Sequence, residues 1–229
     1  MKKIAVITQC RLGSKRLPSK LIYKIEDEYI INLFINRLKQ INNAEIILAL
    51  ANEKNINELK SKIKYKDIKL YTGSVNNVLK RYYDCAKYYK IDIIIRITSD
   101  CPLIDPYLVQ QGIKIFKKKR VDYLSNNLQR SWPHGLDYEI FTFKALRYAY
   151  HNTINKYNLE HVTPFIRKSK KFRRYSIKNK IKIKYTRWTL DYLDDFNYIK
   201  KLHKKFNYLK YDFNWKRLFK DILSANNRF

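Results

Sequence analysis

Ile4-Ala5-Val6-Ile7-Thr8-Gln9-Cys10 runs directly into Arg11-Leu12-Gly13-Ser14-Lys15-Arg16-Leu17-Pro18-Ser19-Lys20-Leu21. The apolar, mostly β-branched start of this stretch predicts a buried strand, and the polar, basic part predicts a loop. Arg11, Lys15, Arg16 and Lys20 crowd into that loop. Gly13 lets the backbone approach a ligand closely, and Pro18 stiffens the far limb. Such a loop suits phosphate, because exposed N–H groups and cations converge on one anion. A solvated basic turn is the plainer alternative. The chain contains no Walker A loop and no G-x-G-x-x-G.

Working outward, Ile30, Ile31, Phe34, Leu38 and Ile41 recur at helical spacing. Glu45 to Ala51 predicts a second buried strand, residues 55–64 a polar helix, and Ile68 to Tyr71 a third strand. Strands and helices alternating with short links indicate an α/β, Rossmann-like sheet that is parallel or mixed. Ligands of such sheets sit beyond the carboxyl ends of the strands, where the Arg11 to Lys20 loop lies. Ser74, after the Gly73 turn, is expected to cap a helix with Val75, Val78, Leu79, Tyr82 and Tyr83 inward.

Ile91 to Thr98 is the most strongly β-patterned run and is placed at the sheet centre. Asp105 and Pro106 read as the cap and first residue of the next helix. Asp100, at the carboxyl end of the central strand, either faces the ligand crevice or makes an Asx-turn before Pro102. From Val121 the rhythm changes. Residues 122–127 and 137–141 read as strands around a turn-rich Ser131 to Gly135, defining a small β-rich excursion over 121–165 in a single domain spanning 1–229. Later segments read as basic strands around residues 172–177 and 181–185, a helix carrying Ile199 and Leu202, and a last amphipathic helix near Trp215.

The 229 residues suffice for one sizeable α/β core. No signal peptide is read at the start, and no apolar run is long enough for a membrane span, so a cytoplasmic protein is expected. Cys10, Cys85 and Cys101 are odd in number and widely spaced, so they read as free thiols. The four histidines lack zinc-site spacing. A formal charge of +29 invites a nucleic-acid reading, yet the cations are spread along the whole chain. That charge implies attraction for polyanionic ligands and sensitivity to salt.

The loop resembles the R-x-G-S-x-R-L-P-x-K signature that opens the cytidylyltransferase superfamily, and it is most similar to the spore-coat polysaccharide biosynthesis protein F branch. Four further blocks are similar to family patterns: Arg96 to Asp105 with R-x-T-G-D-x-P-L-I-D, Trp132 to Glu139 with P-x-G-x-D-x-E, Asn158 to Phe165 with E-H-V-T-P, and Arg187 to Asp195 with R-x-T-x-D-x-x-x-D. This chain has Ser99 where the second block usually has glycine.

The resemblance implies a nucleotide-diphospho-sugar transferase type of fold and a loop that wraps the triphosphate of CTP. Arg11, Leu12, Gly13, Ser14, Arg16 and Lys20 would bind nucleotide, with Gly73 and Ser74 beside them. Arg11, Arg16, Lys20 and Asp100 would act in catalysis. Asp100 and Asp191 would hold Mg2+, with Asp195 supporting a helix start; on its own residues Asp191 also reads as a helix cap. Gly135, Asp137, Glu139, Glu160 and His161 would lie near the acceptor. Solvent-facing strand positions explain Asp137 and Glu139 equally, and a structural polar pair explains Glu160 and His161.

The implied reaction transfers CMP from CTP to an acidic sugar or other small acceptor, releasing pyrophosphate, in surface glycan biosynthesis. A homodimer formed through 121–165 is also implied, with neither membrane nor nucleic acid as partner. Two other functions remain open: a nucleotide-sugar-dependent glycosyltransferase, which would want a D-x-D after a central strand, and a basic nucleic-acid-binding protein, which would bind with a steep salt dependence.

Overall fold

The computed structural model describes residues 2–181, 187–206 and 214–226. Its elements in chain order are β1 (Ile4–Cys10), a 3-10 turn (Lys20–Ile22), β2 (Lys24–Ile25), β3 (Glu28–Tyr29), α1 (Ile30–Leu38), β4 (Glu45–Ala51), α2 (Ile56–Lys62) and β5 (Lys69–Gly73). Then come α3 (Val78–Tyr88), β6 (Ile93–Arg96), α4 (Pro106–Lys119), β7 (Tyr123–Ser125), β8 (Glu139–Thr142), α5 (Phe143–His151) and α6 (Lys156–His161). The series ends with α7 (Pro164–Lys168), β9 (Arg174–Ser176), α8 (Leu193–Phe206) and α9 (Trp215–Asn226).

Seven strands form one mixed sheet in the order β5-β4-β1-β6-β8-β7-β9. β1 is flanked by parallel neighbours, with Cys10 opposite Leu50 of β4 and Ile7 opposite Arg96 of β6. The chain thus leaves β1 toward β4 and β5, then returns to its other side with β6. This is a topological switch point, where successive crossovers leave the sheet in opposite senses and open a crevice beyond the strand ends. The loops after β1 and β6 border that crevice.

β1 is buried on both faces, as a central parallel strand should be. Ile4 and Val6 pack with Phe34 of α1 and Val109 and Ile113 of α4, while Ala5 and Ile7 pack with Leu79 and Tyr82 of α3 and Ala145 of α5. The two apolar layers follow the strand's alternation. Among the described residues, no helix is long and apolar enough to cross a membrane.

The α/β sheet and the central place of the strand before Asp100 agree with the sequence reading, with local differences. β7 and β8 join the main sheet, β8 antiparallel to β6. The small separate β element is the β2–β3 hairpin, which the sequence pattern did not reveal because its strands have two residues each. α3 starts three residues later than expected: Asn77 caps it by accepting from the Lys80 amide, and Ser74 Oγ accepts from Asn77 N. Asp105 caps α4 as read, with Leu108 N on one oxygen and Trp215 N on the other. Most of the strand expected at 181–185 lies outside the described residues.

Candidate active site

The loop after β1 is shaped from within. The Leu12 carbonyl accepts from Ser14 N at 2.8 Å and from Ser19 N at 2.9 Å, and Ser19 turns in the left-handed region at φ 57°. Leu12, Leu17 and Leu21 are buried beneath, while Arg11, Lys15 and Arg16 stay exposed above. The alternation of leucines and cations therefore fastens one side of the loop and presents charge on the other. These three cations and Lys20 line a cavity of about 520 Å3, together with Ser14, Asp100, Glu160, His161 and Asp191. Its volume lies in the range of small-molecule sites.

The loop's leading amides do something else. Leu12 N donates to Glu53 Oε2 at 2.8 Å, and Gly13 N lies 3.2 Å from both Glu53 oxygens. Neither residue lines the cavity, nor does Glu53. The expectation that exposed loop amides cradle an anion is met by a carboxylate of the chain itself. Gly13 also lies outside the positive-φ region, so its value here is the space it leaves for Glu53.

Asp100 and Asp191 are brought together by backbone. Leu190 N donates to the Asp100 carbonyl at 2.7 Å, and Ser99 Oγ ties the same turn to the Gln9 carbonyl at 2.8 Å, so the serine secures a turn where glycine was the expected residue. Lys20 Nζ reaches the Leu190 carbonyl at 2.6 Å, Asp191 Oδ1 at 3.2 Å and Asp100 Oδ2 at 3.9 Å. Burial pushes the Asp191 carboxyl up, but Lys20 and Arg16 outweigh it and hold it below the ordinary carboxylate value. Asp195 Oδ2 accepts from the amides of Asp191 and Tyr192, each at 2.8 Å.

Two carboxylates bracketing one point suit a cation that takes few protein oxygens and completes its shell with phosphate oxygens and water. Among the described residues there is no group of three or more His, Cys, Asp or Glu that could hold a metal. The donor set of Asp100 and Asp191 therefore fits Mg2+, with the Lys20 ammonium lying between them.

A buried ion pair also borders the cavity. Arg96, which lines the cavity, donates to Glu139 Oε2 at 2.6 Å. Glu139 is 2% exposed and also accepts from Tyr123 at 2.5 Å and Thr163 at 2.6 Å. It neither faces solvent nor lines the cavity; it stands behind Arg96. Burial opposes the charge on both partners, and their mutual attraction outweighs it, raising Arg96 and lowering Glu139.

Thr163 is presented by a γ-turn: Val162 sits at φ 71°, ψ −57°, and Thr163 N donates to the His161 carbonyl at 2.8 Å. This turn is rare and strained for a β-branched residue. It lets Glu160 and His161 face the cavity while Thr163 reaches Glu139. Asp137 is held by Arg130, at 3.2 Å through both oxygens, and burial raises its carboxyl despite that partner. Gly135, at φ 112°, lies against the Trp188 backbone, whose amide donates to the His134 carbonyl at 2.6 Å. Gly135 thus supports the 187–191 segment, and neither Gly135 nor Asp137 lines the cavity.

Gly73 and Ser74 end β5 behind Arg81, whose side chain reaches the cavity and donates to the carbonyls of Ser74 and Val75. Arg81 is buried without an ion pair among the described residues, and that burial lowers its pKa. All three cysteines are buried free thiols; burial pushes Cys10 and Cys85 up to about 12 and Cys101 well above its ordinary value, so none supplies a thiolate.

Sequence reasoning assigned no role to Glu53, Arg81 or Arg96. For Glu53 and Arg96 a signal existed, since each lies at the carboxyl end of a strand flanking the switch point.

A family model described as Cytidylyltransferase matches residues 5–217. A solved cytidylyltransferase from Leptospira borgpetersenii serovar Hardjo-bovis superposes with a TM-score of 0.93 at 29% identity, covering 99% of this chain and 96% of that one. An uncharacterized protein of Methanocaldococcus jannaschii is 33% identical over 92% of this chain and 87% of its own length. The spore coat polysaccharide biosynthesis protein SpsF of Bacillus subtilis is more distant, at 24% identity over 90% and 88%. The resemblance to that branch, read from the opening signature, is thus a distant one, and the M. jannaschii protein is the more similar of the two.

Proposed function

The chain belongs to the cytidylyltransferase family, and from that premise we propose that it transfers CMP from CTP to a small anionic acceptor, a sugar acid or phosphorylated compound, for surface-glycan assembly. The observation that carries this reading is the meeting of Lys20, Asp100 and Asp191 beneath the cationic loop on one cavity.

In the proposed reaction an acceptor oxygen attacks the α-phosphorus in line, forming the new O–P bond as the bond to the β-phosphate oxygen breaks and pyrophosphate leaves. Arg11, Lys15, Arg16 and Lys20 offset the charge gathering on the leaving group, and the rate comes mainly from positioning and charge stabilisation. Asp100 and Asp191 would hold magnesium, which supplies polarisation of the α-phosphate when bound. Arg96 and His161 also line the cavity, where an anionic acceptor would find a cation and a hydrogen-bond donor. A homodimer through residues 121–165 belongs to the same proposal, supported by Ile154 and Tyr157, which stand 95% and 58% exposed on that segment.

The test is thermal stabilisation by CTP, UTP, ATP and GTP with magnesium, in the wild type and in Asp100→Asn, since stabilisation follows affinity for the folded state. A CTP-selective, magnesium-dependent shift that shrinks in the variant is expected. Equal shifts with all four nucleotides, indifferent to Asp100 and removed by about 0.2 M salt, would mark a diffuse polyanion binder instead.

A further inference from the structure

Glu53 is an acid beside a loop whose remaining charges are positive. It lies two residues beyond the end of β4, the parallel neighbour of β1. Its two oxygens take the amides of Leu12 and Gly13 at 2.8 to 3.2 Å. Among the described residues it makes no ion pair, although Arg11 and Lys15 stand in the same loop. A carboxylate that accepts several backbone N–H bonds is well satisfied without a cation. The consequence is directional: these two amides are drawn to a carboxylate beyond β4 that does not line the cavity, while Arg11 and Ser14 to Arg16 do line it.

We propose that Glu53 is a positioning residue that pins the loop so its cations, not its amides, receive the phosphates, and that Gly13 is a glycine to admit Glu53 rather than a phosphate. A Cβ built on Gly13 meets Glu53 Oε1 at 2.7 Å, and its next two neighbours are also atoms of the Glu53 carboxyl group. The proposal rests on the reading of the cavity as a nucleotide site. It also reverses the sign that charge alone predicts, since removing an acid from a phosphate loop should by Coulomb's law tighten binding of a polyanion.

The experiment measures Kd for magnesium–CTP and for tripolyphosphate, with amide hydrogen exchange at Leu12 and Gly13, in the wild type, Glu53→Gln, Glu53→Ala, Gly13→Ala and the Glu53→Ala/Gly13→Ala double variant. Glu53→Ala is expected to speed exchange at both amides and to weaken both ligands about tenfold, with Glu53→Gln intermediate because one carbonyl acceptor remains. Gly13→Ala should weaken binding in the wild type and add nothing in the Glu53→Ala background, the signature of two groups acting through one contact. A Gly13→Ala penalty that persists without Glu53 would show that a ligand uses the glycine directly, and tighter binding by Glu53→Ala would show simple repulsion; either overturns the proposal. Exchange that changes as expected in a wild type that binds no CTP would overturn the nucleotide reading while leaving the loop contact intact.

Discussion

Lys20 donates to Asp191 Oδ1 across 3.2 Å, joining two groups 171 positions apart in the chain. The same carboxylate receives Arg16 at 2.9 Å and Arg187 at 3.3 Å. Lys20 also reaches Asp100 and Arg187 also pairs with Asp195, so these three cations stand against three carboxylates in one network, with Lys20 the deepest of the three.

Lys20→Met is expected to weaken magnesium–CTP binding about 30-fold or more, since losing one partner of a desolvated, hydrogen-bonded charge pair costs about 2 kcal/mol or more. Asp191 keeps Arg16 and Arg187, so the melting temperature should fall only about 2–4 °C, equivalent to about 1 kcal/mol in a chain of this size. Titration calorimetry and a thermal melt on the same preparation check both parts. A melting temperature that collapses with affinity would make Lys20 a structural residue first.

Glu139→Gln removes the counter-charge of a buried guanidinium. Breaking such a pair from one side costs about 3–5 kcal/mol, whereas replacing both partners with apolar residues of similar size recovers much of the loss. Urea denaturation of Glu139→Gln beside Arg96→Met/Glu139→Gln, which removes both charges and keeps a carbonyl acceptor for Tyr123 and Thr163, should therefore show the single variant as the less stable of the two.

The same pair sets a pH dependence. The folded pKa of Glu139 lies below its ordinary 4.5, so its contribution is fully present above that value and is lost as pH falls through the folded value. Asp191, held below 3.8, acts with the same sign. Asp137, raised above 3.8, acts against them, since its deprotonation costs stability. Unfolding free energy measured between about pH 5 and 3 should decline toward acid, and the decline should be shallower in Glu139→Gln. An unchanged slope would remove Glu139 as its source.

Gly135→Ala tests the support of the 187–191 segment. At φ 112° an alanine is strained, and its Cβ would lie 2.7 Å from the Trp188 carbonyl group, which is backbone and cannot swing aside. A loss of about 1–3 kcal/mol is expected, with weaker CTP binding because Asp191 moves with Trp188. Gly112→Ala, whose Cβ would meet Tyr138 at 2.4 Å inside α4, should lower stability without changing CTP affinity in the folded fraction.

Periodicity and local chemistry carried a good deal of this. The burial of β1, the helix opened by Asp105 and Pro106, and the placing of Asp100 beyond a central strand all follow from side-chain spacing and cap preferences over a few residues. The late start of α3 was missed because Ser74 and Asn77 both have capping side chains, and only the turn between them decides which one is the cap.

The sequence by itself determined that an α/β sheet would carry a cationic loop at the end of its first strand, because β-branched alternation and charge spacing are local properties. The strand order decided the rest. Setting β1 between β4 and β6 brought Glu53 under the loop and Asp100 beside it, and the Leu190 amide on the Asp100 carbonyl brought Asp191 to Lys20. It also buried Glu139, whose strand alternation is compatible with either face. Which face is covered depends on the helices packed against the sheet, and that depends on contacts between residues far apart in the chain.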